Sequence, residues 1–237
     1  DTTSKINFTN NNTAFDTNGV QFVINPYDEF GLTRALWIKE KQGGSVTVAN
    51  VGTSVTEPTI RKALAIGADD AIRIDADPTD AFFVAKQLAA LVQENNYDIV
   101  ICGQESIDYN GGQVPGMMAA LLNWPFVNGC TGLELDGNNA TVTRDIDGGK
   151  ETSKTELPAV IAGKKGLVEE KDLRIPNMRG IMTARTKPLT VRPAVEASKQ
   201  TNILNFDKPA SKAAVKLIDK ENVAELVRLL HEEAKVI

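Results

Sequence analysis

Apolar positions follow two alternating rhythms along the chain. Short segments of strand length, rich in β-branched and small apolar residues, are separated by stretches where apolar residues return every three or four positions. Residues 45–51, 71–75 and 98–102 are of the first kind, which predicts buried strands of a covered sheet. The helical rhythm lies between them. A helix is predicted from Pro26 near its first turn to Gly43-Gly44, with Leu32, Ala35, Leu36 and Ile38 on its apolar side. Residues 58–66 form a second, closed by Gly67. Residues 78–95 form a third, with Ala81, Val84, Ala85, Leu88 and Leu91 on one face. Residues 21–24 read as a short extended run ahead of Asn25. Strand and helix alternate throughout residues 20–125, which predicts parallel βαβ units in an α/β, doubly wound domain.

The rhythm changes after Pro125. Residues 131–135, 140–144 and 150–157 read as short antiparallel strands, with turn signals at Gly137-Asn138-Asn139 and Asp147-Gly148-Gly149. Residues 158–162 give a further apolar strand. Residues 163–188 mix charge, glycine and proline with isolated apolar residues, and read as a loop. Residues 189–210 have little periodicity and read as an extended arm. A terminal helix follows, with Asp219 as the expected cap and Val223, Leu226, Val227 and Leu230 as its apolar stripe. At the other end, Ile6, Phe8 and Phe15 suggest a weak hairpin around Asn10-Asn11-Asn12. The expected division is a nucleotide-binding α/β domain over residues 1–188 and a C-terminal arm and helix over 189–237.

Composition narrows the function. The net charge of −5 over 237 residues argues against a general phosphate-backbone binder, and 5% aromatic content argues against a stacking surface for single strands. Nucleic acid is therefore not an expected partner. Two cysteines and one histidine, without metal-ligand spacing, make a metal site improbable. Cys102 and Cys130 fit a reducing compartment. Neither a membrane-spanning run nor a signal peptide is expected.

Candidate chemistry centres on residues 101–125, which read as a strand exit, a polar turn, the pair Gly111-Gly112, and a helix with Met117, Met118, Leu121 and Leu122 at its spacing. A helix start after a glycine pair offers free N–H groups to a phosphate, although the same pattern serves an ordinary strand-to-helix connection. Ligands in open parallel sheets sit beyond the carboxyl ends of the strands, where Gly52 and Gly103 both fall. Asp108, Glu105, Asp145 and Asp147 are the available carboxylates, and turn formation is the simpler role for Asp147. His231 lies on the terminal helix, so no catalytic triad is available. Arg174, Arg179, Arg185 and Lys187 could be a solvated basic loop or a docking site. Met178, Ile181 and Met182 beside them favour protein docking.

These residues also carry a resemblance. Asn25-Pro-Tyr-Asp-Glu29, Arg61-Lys-Ala-Leu-Ala-Ile-Gly-Ala-Asp69, Gly103-Gln with Ile107-Asp108 and Gly112-Gln-Val114, Arg144-Asp-Ile-Asp-Gly-Gly149, Leu157-Pro-Ala-Val160 and Gly180-Ile-Met-Thr-Ala-Arg-Thr-Lys-Pro188 appear in the order of one family. The chain resembles the small (beta) subunit of the electron transfer flavoproteins. The resemblance covers residues 1 to about 190. It implies a Rossmann-like, adenine-nucleotide-binding fold with a small antiparallel addition and a C-terminal arm plus helix. It also implies a non-catalytic electron carrier in a heterodimer, with a structural AMP in this subunit and FAD mostly held by the alpha subunit. The implied partners are that alpha subunit and flavin dehydrogenases such as acyl-CoA dehydrogenase, as in fatty acid oxidation. The implied compartment is bacterial cytoplasm, or the mitochondrial matrix in a eukaryote.

By the same resemblance, Asn25 and the Val51-Gly52 turn would contact adenosine. Asp108, Gly111, Gly112, Gln113 and Val114 would form the phosphate cradle. Asp145 would stand beside the FAD and pair with an alpha-subunit arginine. Met178 would anchor a partner-docking loop together with Arg179, Ile181 and Arg185, and the terminal helix would pack on the alpha subunit. Two alternatives stand beside this: an electron-bifurcating relative with a second FAD in the AMP site, or a stand-alone adenine-nucleotide sensor. The chain departs from the family in three places. Asn110 replaces a frequent second aspartate, Pro115-Gly116 reverses the usual Gly-Pro and removes one N–H, and Thr183 and Thr186 replace lysines. The family also opens with a hydrophobic strand ahead of the segment matching Asp1, so such a strand is expected upstream.

Overall fold

The computed structural model describes residues 2–212 and 214–237. A short antiparallel hairpin comes first, β1 (Phe8–Thr9) with β2 (Ala14–Phe15). Then α1 (Pro26–Gln42), β3 (Thr47–Val51), α2 (Glu57–Ile66), β4 (Asp70–Asp75), α3 (Ala81–Asn95), β5 (Ile99–Gly103) and α4 (Val114–Leu122) alternate as the apolar rhythm predicts. The strands β6 (Phe126–Asp136), β7 (Asn139–Ile146), β8 (Gly149–Glu156) and β9 (Ala159–Gly163) follow. The chain continues through α5 (Met178–Ala184), β10 (Leu189–Pro193) and α6 (Val223–Leu229).

Local chemistry sets the helix ends. Pro26 opens α1, where a missing N–H costs nothing, and Asp28 and Glu29 complement the first-turn dipole. Gly67 ends α2 at φ 152°, and a Cβ there would lie 2.9 Å from Leu36 Cδ1, so α2 can turn close against α1 only with glycine. The third helix begins later than residue 78. Asp80 caps it by accepting the Phe83 N–H at 2.7 Å, so Pro78 stays outside. Residues 21–24 join no ladder.

The parallel strands form two sheets. One has the order β10-β4-β3, all parallel; the other has the order β5-β9-β6-β7-β8. In the second, β5, β9 and the start of β6 run parallel, and β6, β7 and β8 form the antiparallel addition. The strand β6 changes partner at an irregularity between Val127 and Cys130, where Gly129 takes φ 66°. Successive residues of β9 serve opposite faces. Val160 joins Met118, Ala119 and Leu122 of α4 and Ala85 and Ala89 of α3. Ala159 and Ile161 join Cys130, Leu133, Ala140 and Val142, with Ile38 of α1 beside them. Both faces of this strand are therefore covered, as its unbroken apolar run requires. Each large side chain buried this way contributes about 1.5–3 kcal/mol.

Three expectations change. Residues 189–193 are an edge strand of the sheet, because β10 pairs in register with β4 from Leu189↔Ala71 to Pro193↔Asp75. The chain beyond it stays pinned: Gln87 exchanges two hydrogen bonds with the Val195 backbone, and Asp80 accepts the Gln200 and Thr201 N–H groups. Residues 178–184 are a helix rather than a loop, with the Asn177 side chain capping it through the Gly180 N–H at 2.8 Å. The terminal helix is capped by Asn222, which accepts the Glu225 N–H, while Asp219 accepts the Glu221 N–H one turn earlier.

The chain divides into two compact units, Asp1–Ile6 with Thr17–Ile203, and Asn7–Asp16 with Leu204–Ile237. In this division β10 and its tail, up to Ile203, belong to the larger unit. In the smaller unit, Phe8 stacks on Phe206 at 5.0 Å between ring centroids, and Phe206 N donates to Asn12 O. The stripe residues Val223, Leu226 and Val227 of α6 are exposed. The strand expected upstream of Asp1 lies outside the described residues. Among the described residues no helix is long and apolar enough to cross a membrane.

Candidate functional site

The carboxyl end of β5 and the start of α1 are joined by a buried polar knot. Asp28 Oδ1 accepts the Gly103 N–H at 2.7 Å, and Asp28 Oδ2 accepts from Asn25 Nδ2 at 2.8 Å. Asn25 Nδ2 also donates to Glu105 O at 2.8 Å, and its Oδ1 accepts the Ile107 N–H at 3.2 Å. Both amide ends of Asn25 are engaged, so Asn25 acts as a strut between α1 and residues 105–107. A Cβ at Gly103 would stand 2.7 Å from Tyr27 Cβ, so only glycine admits this approach. Burial pushes the Asp28 carboxyl up, and its hydrogen bonds from Gly103 and Asn25 oppose that shift. The neighbouring Cys102 thiol is pushed far up by burial and then by Asp28, which leaves it chemically quiet.

Residues 106–111 close on themselves. Ser106 and Gly111 exchange two backbone hydrogen bonds at 3.1 Å, and Asn110 takes φ 50° at the tip. Asparagine tolerates that conformation well, which suits Asn110 to this position. Asp108 Oδ1 accepts from Ser106 Oγ and from the Tyr109 N–H. Through Oδ1, Asp108 therefore shapes the turn that precedes α4. The Gly111 N–H is engaged as well.

Donors remain at the start of α4. The first backbone bond there runs from Met117 N to Gln113 O at 3.1 Å, so the Gln113 and Val114 N–H groups precede the helical ladder. Pro115 occupies the first turn, where its missing N–H costs the helix nothing but leaves one donor fewer for an anion. A Cβ at Gly112 would approach Gln104 O to 3.2 Å, so the backbone runs tightly into this helix.

On the other sheet, Val51 is buried and Gly52 turns the chain. Gly52 N donates to Ile74 O at 3.0 Å. A Cβ at Gly52 would lie 2.6 Å from Thr56 Cγ2 and 2.7 Å from Asn50 Oδ1. Arg73 reaches this turn, with Nη1 2.9 Å from Gly52 O, while its guanidinium pairs with Glu57 and Asp75. The Arg73 side chain is 5% exposed. Burying that charge is tolerable because two carboxylates and a carbonyl receive it. Arg73 thus braces the Gly52 turn, and a cation within Ala71-Ile-Arg-Ile-Asp75 is its signal in the sequence.

The antiparallel addition carries Asp145 near the end of β7, where it pairs with Lys164 Nζ at 3.3 Å. Its neighbour Arg144 pairs with Glu151 across the hairpin. Lys164 follows β9, and its N–H donates to Cys130 O. The partner of Asp145 within the chain is thus a lysine 19 residues away, beyond the reach of motif reading.

On α5, Met178 is 74% and Met182 66% exposed, with Ile181 between them also exposed. Among the described residues Arg179 and Arg185 make no ion pair. The rest of the expected basic cluster is occupied: Arg174 donates twice to Glu40, and Lys187 Nζ donates to Leu64 O and Ala68 O. Among the described residues no cluster of His, Cys, Asp and Glu could hold a metal.

Residues 12–197 match the model of the electron transfer flavoprotein domain family. The chain is similar to the electron transfer flavoprotein subunit beta of Bacillus subtilis, 35% identical over 233 residues, covering 92% of this chain and 90% of that protein. It is 37% identical over 208 residues to the protein of the same name from Syntrophomonas wolfei, covering 86% of this chain and 81% of that one. The human protein of that name is 32% identical over 242 residues, covering 98% and 93%.

Proposed function

The chain belongs to the electron transfer flavoprotein family, as a beta subunit, and from that premise we propose that it is the non-catalytic half of a heterodimeric electron carrier. The observation that carries this is the family match across residues 12–197, which spans the strand-end loops, the Asp145 hairpin and the docking helix together. The partner is an alpha subunit that holds most of an FAD. When bound, the flavin accepts and releases the electrons. This chain supplies a wall, a nucleotide floor and a docking surface.

The strand-end geometry fits an adenosine monophosphate. At Gly52 and Gly103 the chain's own atoms fill the space of a side chain, which fixes the two strand-end loops that would wall the adenosine. The Gly112, Gln113 and Val114 N–H groups at the start of α4 suit a phosphate. Asn25 and Asp108 contribute by shaping that cradle, and Val51-Gly52 by forming its opposite wall. The Asp145 carboxylate faces the flavin cleft, with Lys164 balancing it until an alpha-subunit arginine replaces that lysine.

Exposed methionines flanked by arginines that make no ion pair among the described residues suit an adaptable apolar cleft rimmed by acid, which is the surface expected of a flavin dehydrogenase such as acyl-CoA dehydrogenase. The terminal arm and α6 cover the alpha subunit with the exposed stripe Val223, Leu226 and Val227. Two free thiols support a reducing compartment, bacterial cytoplasm or mitochondrial matrix. Coexpression with its alpha subunit followed by size-exclusion chromatography tests the assembly. A one-to-one heterodimer carrying flavin is expected; a homodimer or monomer that ignores the alpha subunit would instead favour a stand-alone nucleotide sensor.

A further inference from the structure

The docking helix is too short to stand alone. Seven residues with a glycine at the third position form too few hydrogen bonds to offset nucleation in water, so α5 depends on what it packs against. That support is α2, and the two helices exchange their C-terminal caps. Arg61 of α2 donates from Nη1 to Ala184 O at 2.8 Å and to Lys187 O at 2.7 Å, closing the end of α5. Lys187, three residues past α5, donates back from Nζ to Leu64 O at 2.9 Å and Ala68 O at 2.5 Å, closing the end of α2. Each cation also sits at the negative end of the other helix's dipole. Between the caps the backbones touch: a Cβ at Gly180 would fall 2.3 Å from Ala65 O, and Ala184 is buried in the cluster of Leu64, Ala65 and Ala68.

We infer that Arg61 and Lys187 are positioning residues that hold the docking helix ready for its partner by capping α2 and α5 reciprocally. A helix fixed before encounter loses less conformational freedom on binding, so the clamp acts on association with a dehydrogenase and not on the flavin. Lys187, a member of the basic cluster by sequence, therefore serves from inside. The inference rests on the proposed docking role of α5, and its test separates the two.

Hydrogen exchange is measured on the full chain in complex with its alpha subunit, for the parent, Arg61→Met, Lys187→Met and Arg61→Lys. Each methionine variant is expected to speed exchange in peptides over residues 178–187 by about tenfold, the effect of losing charged hydrogen bonds at a helix end, with the β9 peptide unchanged. Arg61→Lys restores a donor and most of the protection. In parallel, the concentration of reduced acyl-CoA dehydrogenase giving half-maximal electron uptake is expected to rise about threefold or more, with maximal rate and FAD content unchanged. Exchange over 178–187 equal to the parent's overturns the clamp, and so does faster exchange that extends to β9. If both methionine variants free the helix while Met178→Ala leaves electron uptake untouched, the clamp stands and the docking role of α5 is lost.

Discussion

Single residues in this protein act mainly by closing off alternatives. Gly52 and Gly103 are places where any Cβ would collide, and Asn25 and Asp108 use their polar atoms within the chain. Asp80 shows how much one carboxylate can organise. It caps α3 and accepts two further N–H groups from residues 200 and 201. Burial pushes its carboxyl up, but the N–H groups of Phe83, Thr201 and Gln200, with Lys199, outweigh that and hold it below the usual range. Removing it by Asp80→Ala is expected to cost about 1–2 kcal/mol near neutral pH, as for other lost caps. Because the folded value lies below the unfolded one of about 3.9, this stability is present above the unfolded value and lost as pH falls through the folded one. Urea titrations of parent and variant should therefore converge below about pH 4. A gap as wide at about pH 3 as at about pH 7 would remove the carboxylate's charge from the account.

At the scale of elements, α5, the helix proposed to dock a dehydrogenase, is where the proposed function depends most on the fold. Met178→Ala on α5 is expected to slow electron uptake from a flavin dehydrogenase by about tenfold, the size of an apolar anchor lost from an interface, with FAD content unchanged. Stopped-flow reduction at several dehydrogenase concentrations checks this, and equal rates for variant and parent would remove Met178 from that role. The element was legible only in part. Met178, Ile181 and Met182 marked the surface, but seven residues interrupted by Gly180 give too short a period to read as a helix. Similarly, β10 lies between Pro188 and its own Pro193, and its pairing with Ala71–Asp75 spans more than a hundred residues, which periodicity does not see. The helices and strands between residues 26 and 122 were legible because every one buries an apolar face of standard length. What the sequence concealed was pairing at a distance: Asn25 with Glu105, Arg73 with Gly52, Asp145 with Lys164, Arg61 with Lys187.

Across the whole molecule, these pairings converge on a division of labour. In the function proposed above, the strand ends and the start of α4 would form a nucleotide floor, the β7–β8 hairpin would offer Asp145 to a flavin held elsewhere, and α5 would meet the electron donor. A ligand bound only to the folded form at about a hundred times its Kd stabilises by about 2.7 kcal/mol, so a resident nucleotide would strengthen this floor without doing chemistry. The central claim is that the site holds a structural AMP while the flavin belongs to the shared cleft. It is tested most directly by denaturing the intact heterodimer and counting the released adenine nucleotide and flavin. One AMP and one FAD per heterodimer is the predicted result. A well-folded heterodimer that releases FAD without AMP, or two FAD, would contradict it.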